Sequence, residues 1–390
     1  MYDAIIVGAG FAGSVLAERL ASQRHWKVLI IEKRRHIGGN CFDRIDDHGI
    51  LIHQYGPHFF HTSNRAVFEY LSAFTEWRPY QHRVLASVDG QLIPIPFNLN
   101  ALHRVFPASL AQRLENKLIE RFGFGLKIPI LQLRKEQDSD LKFLADFIYE
   151  KVFVHYTTKQ WGCKPEEIAP EVTARVPVMV SRDDRYFQDI YQAIPKYGYT
   201  RLFENLLASP NISMLLNTHY KQIIDFDPDS GKISLWGQPF AGAFIFTGQI
   251  DELFEYRFGE LPYRSLRFQI EHYERDWWQP VTTVNYPNDY EFTRITEFKH
   301  IHNHDYPVRG TTIVKEYPQD YQHDDPMRDT PYYPVFNETN KVRYQQYRDY
   351  AQRFAQLTLV GRLAEYRYYD MDDIVERALQ VFSEKFAMRD

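Results

Sequence analysis

Cysteine is nearly absent: the 390 residues contain two, Cys41 and Cys163. That count excludes a disulfide framework and fits a reducing compartment, so a cytoplasmic location is expected. No apolar run is long enough to span a bilayer, so membrane insertion is not expected. The first apolar stretch lacks a basic segment ahead of it and is soon interrupted by Glu18 and Arg19, so it reads as folded structure and not as a secretory leader. Positive charge is not in excess. The formal net charge is −5, which gives no general attraction for nucleic acid. Repeats and low-complexity tracts are missing as well. So are a Walker motif, a Ser-His-Asp order and zinc-ligand spacing, and no metal site is expected. His300, His302 and His304 alternate and could share a strand face, but an exposed polar turn accounts for them more simply.

What is present is a globular composition, 44% hydrophobic and 25% charged, with length enough for two or three domains. Aromatic residues make up 16%, which either fills a core or supplies stacking surfaces for a ligand's rings.

The most informative stretch is Ala4 to Asn40. An apolar run, Ala4-Ile5-Ile6-Val7, reads as a buried parallel strand. Gly8-Ala9-Gly10-Phe11-Ala12-Gly13 then forms a GxGxxG turn into a helical pattern. Gly8 permits the tight turn, Gly10 admits a pyrophosphate close to the backbone, and Gly13 lets the helix pack on the strand. The helix N-terminus offers free N–H groups to phosphate. A second strand, Val28 to Ile31, ends on Glu32, 19 residues beyond Gly13 and placed for ribose hydroxyls. The glycine turn alone is weak evidence. With both strands and the acid in place, dinucleotide binding outweighs an ordinary strand–helix turn. Lys33 and Arg34 could face phosphate or form a solvated turn, and Gly38-Gly39-Asn40 suggests close backbone approach to a ligand.

Further along, His58 and His61 in the rigid loop Tyr55 to His61 read equally as ligand contacts or as satisfied buried histidines. Residues 82–95 carry a hairpin signal around Asp89-Gly90. Residues 98–156 read as short helices broken at Pro107 and Pro129. Residues 159–185 are rich in proline and loop-like, with Arg175 in the middle: a lid or a mere connection. Strand patterns near 213–216, 233–236 and 243–246, and again between 266 and 317, follow; the latter suggest an antiparallel sheet. A helix over 338–356, a strand over 358–362 and a last helix from Met371-Asp372 suit a return to the first domain, with Asp370 or Asp372 as the N-cap. Arg175 and Arg294 could clamp a second pyrophosphate, although either alone reads better as a surface ion pair. The last helix's N-terminus, if aimed at a flavin, would favour its reduced anionic form.

At this point the chain resembles bacterial UDP-galactopyranose mutases. The stretches that carry the resemblance are VGAGFAGSVLAERLA, EKRRHIGGNCFD, YGPHFFHT, YTTKQWG, VTARVPV, DDRYF, PKYGYTRL, YRSL, FTRITEFKH, KEYP, PYYPV and VGRLAEYRYYDMD, in order along nearly the whole chain. The resemblance implies an α/β fold with three parts. These are a discontinuous Rossmann-like FAD-binding domain (1–80, 196–256, 338–390), a helical insertion (98–185) with a mobile substrate loop at about 162–185, and an antiparallel sheet domain (81–97, 186–195, 257–337). It implies interconversion of UDP-galactopyranose and UDP-galactofuranose for cell-surface polysaccharide, with no net redox change. Reduced FAD N5 would attack the anomeric carbon, giving a flavin–sugar iminium adduct. An electron donor, NAD(P)H being the expected one, and a homodimer complete the implication.

By motif, Arg175 and Arg294 resemble the diphosphate-binding arginines, and His58 the histidine at the flavin's reactive edge. Tyr156 resembles the uracil-stacking tyrosine, with Phe153 beside it. Thr157, Trp161 and Tyr186 match uridine- and cleft-side positions. Tyr317, Tyr368 and Asp370 match substrate-side residues, and Asn285 is expected to face the cleft. Gly8, Gly10, Phe11, Gly13, Glu32, Lys33, Arg34, Gly39, Asn40, Arg362, Met371 and Asp372 are the implied FAD contacts. Val152 stands where an aromatic is expected, His155 where glycine is usual, and Met179-Val180 replaces a basic–aromatic pair. The competing readings are an FAD-dependent oxidase or dehydrogenase of the amine-oxidase type, which shares the fold, and a non-catalytic FAD-binding scaffold.

Overall fold

Strands that are apolar along nearly their whole length need cover on both faces, and that is how Ala4–Val7 and Val28–Ile31 are used. In the computed structural model, which describes residues 2–162, 177–288, 290–302, 308–325 and 327–387, they belong to a five-stranded parallel sheet. Its order is Ile212–Leu215, Val28–Ile31, Ala4–Val7, Ala243–Phe246, Leu357–Leu359. The helices Phe11–Gln23 and Met371–Lys385 pack together on one face, over Val15, Leu20, Val375 and Ala378. Phe244, Phe246, Phe254 and Tyr347 fill the other face.

The Asp89-Gly90 hairpin forms as expected, joining Val84–Val88 to Gln91–Ile95 through left-handed residues at φ 46° and 80°. It lies at the edge of a seven-stranded sheet whose other strands are Thr283–Asn285, Arg294–Glu297, Thr311–Asp320, Tyr263–Tyr273 and Tyr333–Pro334. The sheet is not purely antiparallel, as the sequence suggests: Thr283–Asn285 runs parallel to Val84–Val88. Those strands lie nearly 200 residues apart, so no turn constrains their relative direction.

Asn98 and Asp138 cap the helices Leu99–Val105 and Ser139–Ile148 with side-chain oxygens, and Pro107 and Pro129 open Ala108–Phe122 and Ile130–Leu133. Leu114, Leu118 and Leu144 share one core with Ile93, Ile95 and Phe97 of the hairpin. The chain continues through a π-helical segment, Tyr149–Val154, into the helix His155–Trp161. Lys159, Gln160 and Trp161 are therefore helical, whereas the proline-rich run suggests a loop from 159 onward. The stop comes at Gly162, at φ 70°. A second departure concerns residues 186–195. Tyr191–Pro195 pairs with Phe60–Thr62 and Trp77–Pro79 in a separate three-stranded sheet, where the Phe60 and Trp77 rings of the flanking strands stack and Tyr191 stacks on Phe68.

The tightest backbone approach is at Gly13, where a Cβ would lie 2.1 Å from the Gly8 carbonyl oxygen. Backbone cannot yield there as a side chain would. Gly13→Ala is expected to cost about 1–3 kcal/mol in urea unfolding. Gly10→Ala, whose Cβ would meet only Gly39 Cα at 3.8 Å, is expected to cost about 0.5 kcal/mol in the same measurement.

Candidate functional site

Three connected spaces run across the molecule. The first is a groove over the carboxyl ends of the parallel strands, where open α/β sheets bind ligands. Gly8, Gly10, Phe11, Glu32, Lys33, Arg34, Gly39 and Asn40 line it, with Arg362 and Met371 on the opposite wall. Gly10 and Gly39 face each other so closely that a Cβ on Gly39 would come 3.0 Å from Gly10 Cα. Side chains there would close the groove. Glu32 is buried at its end, accepting the Ala9 and Arg34 N–H groups at 2.9 Å each. Arg34 lies over the Tyr55 ring and donates to Asn40 Oδ1 at 3.0 Å, so this cation is held by folded structure instead of being a solvated turn. Thr218, His219, Gln249 and Glu252 complete the far end, and nothing in their local sequence marks them. A bare cradle facing a helix N-terminus, with an acid at the end of the second strand, fits a dinucleotide.

The second space is a chamber of about 200 Å³ that shares His58, Arg362, Asp370 and Met371 with the groove. Its aromatic wall consists of stacked pairs: Phe59 on His82 at 3.8 Å and His61 on Phe187 at 3.6 Å. Asp189 fixes His61 at 3.0 Å. His58 Nδ1 lies 2.9 Å from the Gly56 carbonyl, which can only accept, so Nδ1 carries the proton and Nε2 is left as an acceptor. Burial pushes the His58 pKa down to about 4 against the Gly56 hydrogen bond, and Arg362 and Arg294 add to the shift. His82 is held well below the ordinary histidine value by burial, then by Arg294 and His61. Its Nδ1 is buried with no hydrogen-bond partner among the described residues. An orphaned polar atom lining a chamber is what a polar ligand would satisfy.

The third space, of about 370 Å³, shares Tyr156, Tyr186, Asn285, Arg294, Tyr368 and Asp370 with the chamber. Arg294 Nε donates to Glu316 Oε1 at 2.6 Å, across directly paired strand positions. Glu316 is 1% exposed. Burial works against the Arg294 charge, and the Glu316 carboxylate outweighs it, so the arginine pKa is raised well above its usual value. The π-helical segment and the helix after it bring Phe153, Tyr156 and Thr157 to the cleft. Two cations anchor that helix. Arg264 donates to the Lys159 and Gln160 carbonyls, each at 3.1 Å, and pairs with Asp320. Lys159 Nζ reaches the Tyr286, Asn288 and Tyr290 carbonyls at 2.6, 3.1 and 2.9 Å. It thereby ties the aromatic helix to the hairpin that bears Asn285 and Arg294.

Most residues singled out by sequence converge here: His58, Phe153, Tyr156, Thr157, Trp161, Tyr186, Asn285, Arg294, Tyr368 and Asp370 line the chamber or cleft. Arg175 lies outside the described residues, as does His304. Tyr317 is a correction. It follows Glu316 on the same strand, and alternation turns it to the opposite face, where its hydroxyl donates to Gln269 and Arg267 covers its ring. Tyr333 occupies the cleft instead, its ring stacked with Tyr368 at 5.7 Å. Asp372 is a second correction: its carboxyl engages Thr62 and His61, away from the groove lining. Glu316, His82 and Lys159 are absent from the sequence reading. Strand register reveals Glu316, and the packing of elements remote in sequence reveals His82 and Lys159, although Glu316 and Lys159 stand inside quoted motifs. Among the described residues, no group of histidine, cysteine, aspartate and glutamate is arranged to hold a metal.

A family model described as UDP-galactopyranose mutase matches residues 151–368, and one described as an NAD(P)-binding Rossmann-like domain matches residues 6–74. A dTDP-fucopyranose mutase of Escherichia coli is 35% identical, covering 97% of this chain and 97% of its own. A probable UDP-galactopyranose mutase of Klebsiella pneumoniae is also 35% identical, covering 97% of this chain and 94% of its own. A crystal structure of reduced UDP-galactopyranose mutase superimposes with a TM-score of 0.75 at 15% identity, over 98% of this chain and 93% of that one.

The depressed histidines make stability depend on pH. Below about pH 6.5 the unfolded chain takes up protons that half-buried His58 and buried His53 and His82 refuse in the folded state. Stability is therefore full above that pH and is lost as pH falls toward 4, where His58 itself protonates. Urea unfolding at pH 7.5, 6 and 5 is expected to give a falling midpoint, with a shallower fall in His82→Phe. A flat profile would contradict the burial argument.

Proposed function

The chain belongs to the UDP-galactopyranose mutase family, and on that premise we propose that it interconverts UDP-galactopyranose and UDP-galactofuranose with FAD bound in the groove. The observation that carries this reading is the continuity of the three spaces, with Arg294 between the last two. The groove takes the cofactor, the chamber the sugar, and the cleft the nucleoside diphosphate.

Arg294 binds the substrate diphosphate through its two Nη groups, because its Nε is engaged by Glu316. Its charge stabilises the diphosphate as the anomeric bond breaks. Arg175 is the second cation of that clamp. Tyr156 stacks on the base, with Phe153, Thr157 and Trp161 around the nucleoside. Tyr186, Asn285, Tyr368, Asp370, Tyr333 and His82 surround the diphosphate and sugar. His82, neutral and buried with an unpaired Nδ1, takes a sugar hydroxyl.

A reduced flavin held in the groove would supply a nucleophilic ring nitrogen, with no net change in its oxidation state over a turnover. The protein's part is to hold that ring and exclude water. Gly8, Gly10 and Phe11 cradle the pyrophosphate, Glu32 takes the ribose, and Lys33, Arg34, Gly39 and Asn40 close over it. The N-terminus of Met371–Lys385 favours negative charge on the ring, and His58 Nε2 offers an acceptor beside it. Reduction is needed to start catalysis and not for each turnover, which suits an external donor of the NAD(P)H type. A cytoplasmic homodimer accompanies the proposal. The amine-oxidase reading shares the fold, but a cleft presenting the half-buried guanidinium of Arg294 is poorly suited to a cationic amine. The relatives leave the nucleotide base open, since one is named for a dTDP sugar and is as similar as one named for a UDP sugar.

Incubating dithionite-reduced protein with UDP-galactofuranose is expected to yield the pyranose isomer without further consumption of reductant. Peroxide formation from an amine, with no isomerisation, would sink the proposal. Arg294→Ala is expected to lower kcat by about 10²–10³-fold with FAD retained. Glu316→Gln keeps the hydrogen bond but removes the charge, and is expected to lose about tenfold. Unchanged turnover in both variants would overturn the diphosphate assignment.

A further inference from the structure

The cleft has two unlike ends. One holds Arg294, Asn285, Tyr368 and Asp370 and opens toward the sugar chamber. The other is closed by Ala86, Ile95, Phe97, Ile130, Ile148 and Val152, and none of these six side chains carries a polar atom. Five of them are almost fully buried, between 1% and 3% exposed, and belong to the shared core of the hairpin and the helices. That end is therefore a rigid apolar vault, shaped by packing instead of by flexible surface residues.

A nucleoside diphosphate sugar has one way to lie across this cleft. The diphosphate belongs at Arg294 and the sugar beyond it, so the base lies on Tyr156 with an edge directed at the vault. Pyrimidine bases have an apolar edge, C5–C6, and their polar edge must find backbone groups or water. A vault of this kind gives no reason to reject a methyl group on C5 and a hydrophobic reason to favour it. Val152 sharpens the point: it is the vault residue left partly exposed, and a larger ring at that position would occupy the space a methyl group needs.

We propose that the apolar end of the cleft accepts a 5-methylpyrimidine, so that thymine nucleoside diphosphate sugars belong to this site's substrate class alongside uracil ones. The inference rests on the nucleotide-sugar reading above and adds the identity of the base. The sugar chemistry is unchanged.

The test separates the methyl group from the 2′-hydroxyl, because dTDP and UDP differ in both. Holoenzyme is titrated calorimetrically with UDP, 5-methyl-UDP, dUDP and dTDP. The methyl group is expected to tighten binding roughly three- to fivefold in both pairs, 5-methyl-UDP over UDP and dTDP over dUDP, the gain for burying one methyl-sized group. Val152→Phe is expected to abolish that gain and to weaken the methylated ligands more than the unmethylated ones. The wild-type series stands by itself if the variant fails to fold. Equal or weaker binding of the methylated member in both pairs overturns the proposal. If UDP-galactofuranose is isomerised while the methylated ligands bind more weakly, the base assignment fails alone. If neither UDP nor dTDP binds, the nucleotide-sugar reading fails with it.

Discussion

Parallel strands cannot be joined by tight turns, and that constraint organises the whole chain. Each return to the first sheet needs a long crossover. Between Val28–Ile31 and Ile212–Leu215 the crossover carries the helical unit and an edge hairpin; between Ala243–Phe246 and Leu357–Leu359 it carries most of the seven-stranded sheet. Both excursions leave the sheet at its carboxyl ends, beside the groove, and return to its amino ends. The cofactor cradle and the cleft are consequently neighbours, although Gly8, Tyr156, Arg294 and Met371 come from four distant parts of the sequence.

Charge is used sparingly within the cleft. An arginine buried without a counter-charge would be costly, and one fully neutralised would have little left for a phosphate. Arg294 avoids both outcomes: Glu316 satisfies Nε, and among the described residues no hydrogen bond engages the two Nη groups. Lys159 and Arg264 have a different job. Their donors are largely spent on backbone carbonyls, so they hold an aromatic helix against a sheet hairpin and present Tyr156 and Arg294 at a fixed separation. The histidines follow the same economy. His58 and His82 are kept neutral by burial among arginines, so they can accept or donate hydrogen bonds without adding charge to a site already holding cations.

The dinucleotide cradle is legible from residues 4–40 because every requirement is local. A strand, three glycines, a helix and an acid within one βαβ unit are each forced by short-range sterics and hydrogen bonding. The hairpin at Asp89-Gly90 and the helix breaks at Pro107 and Pro129 are legible for the same reason. Boundaries failed where the sequence is ambiguous: Lys159-Gln160-Trp161 lacks apolar periodicity yet completes a helix whose last carbonyls Arg264 anchors from outside.

The cleft is another matter, since its composition depends on strand register. Glu316 and Tyr317 are neighbours in sequence, and one residue's shift decides which of them meets Arg294. Their resemblance to a motif pointed to Tyr317; pairing with Arg294–Glu297 turned Glu316 toward Arg294, and Tyr333 lines the cleft instead. The sequence by itself thus determined the Rossmann-like unit and the local elements, through interactions spanning a few residues. Only the tertiary structure decided which charges and rings share the cleft, because that choice rests on pairings between strands tens to hundreds of residues apart.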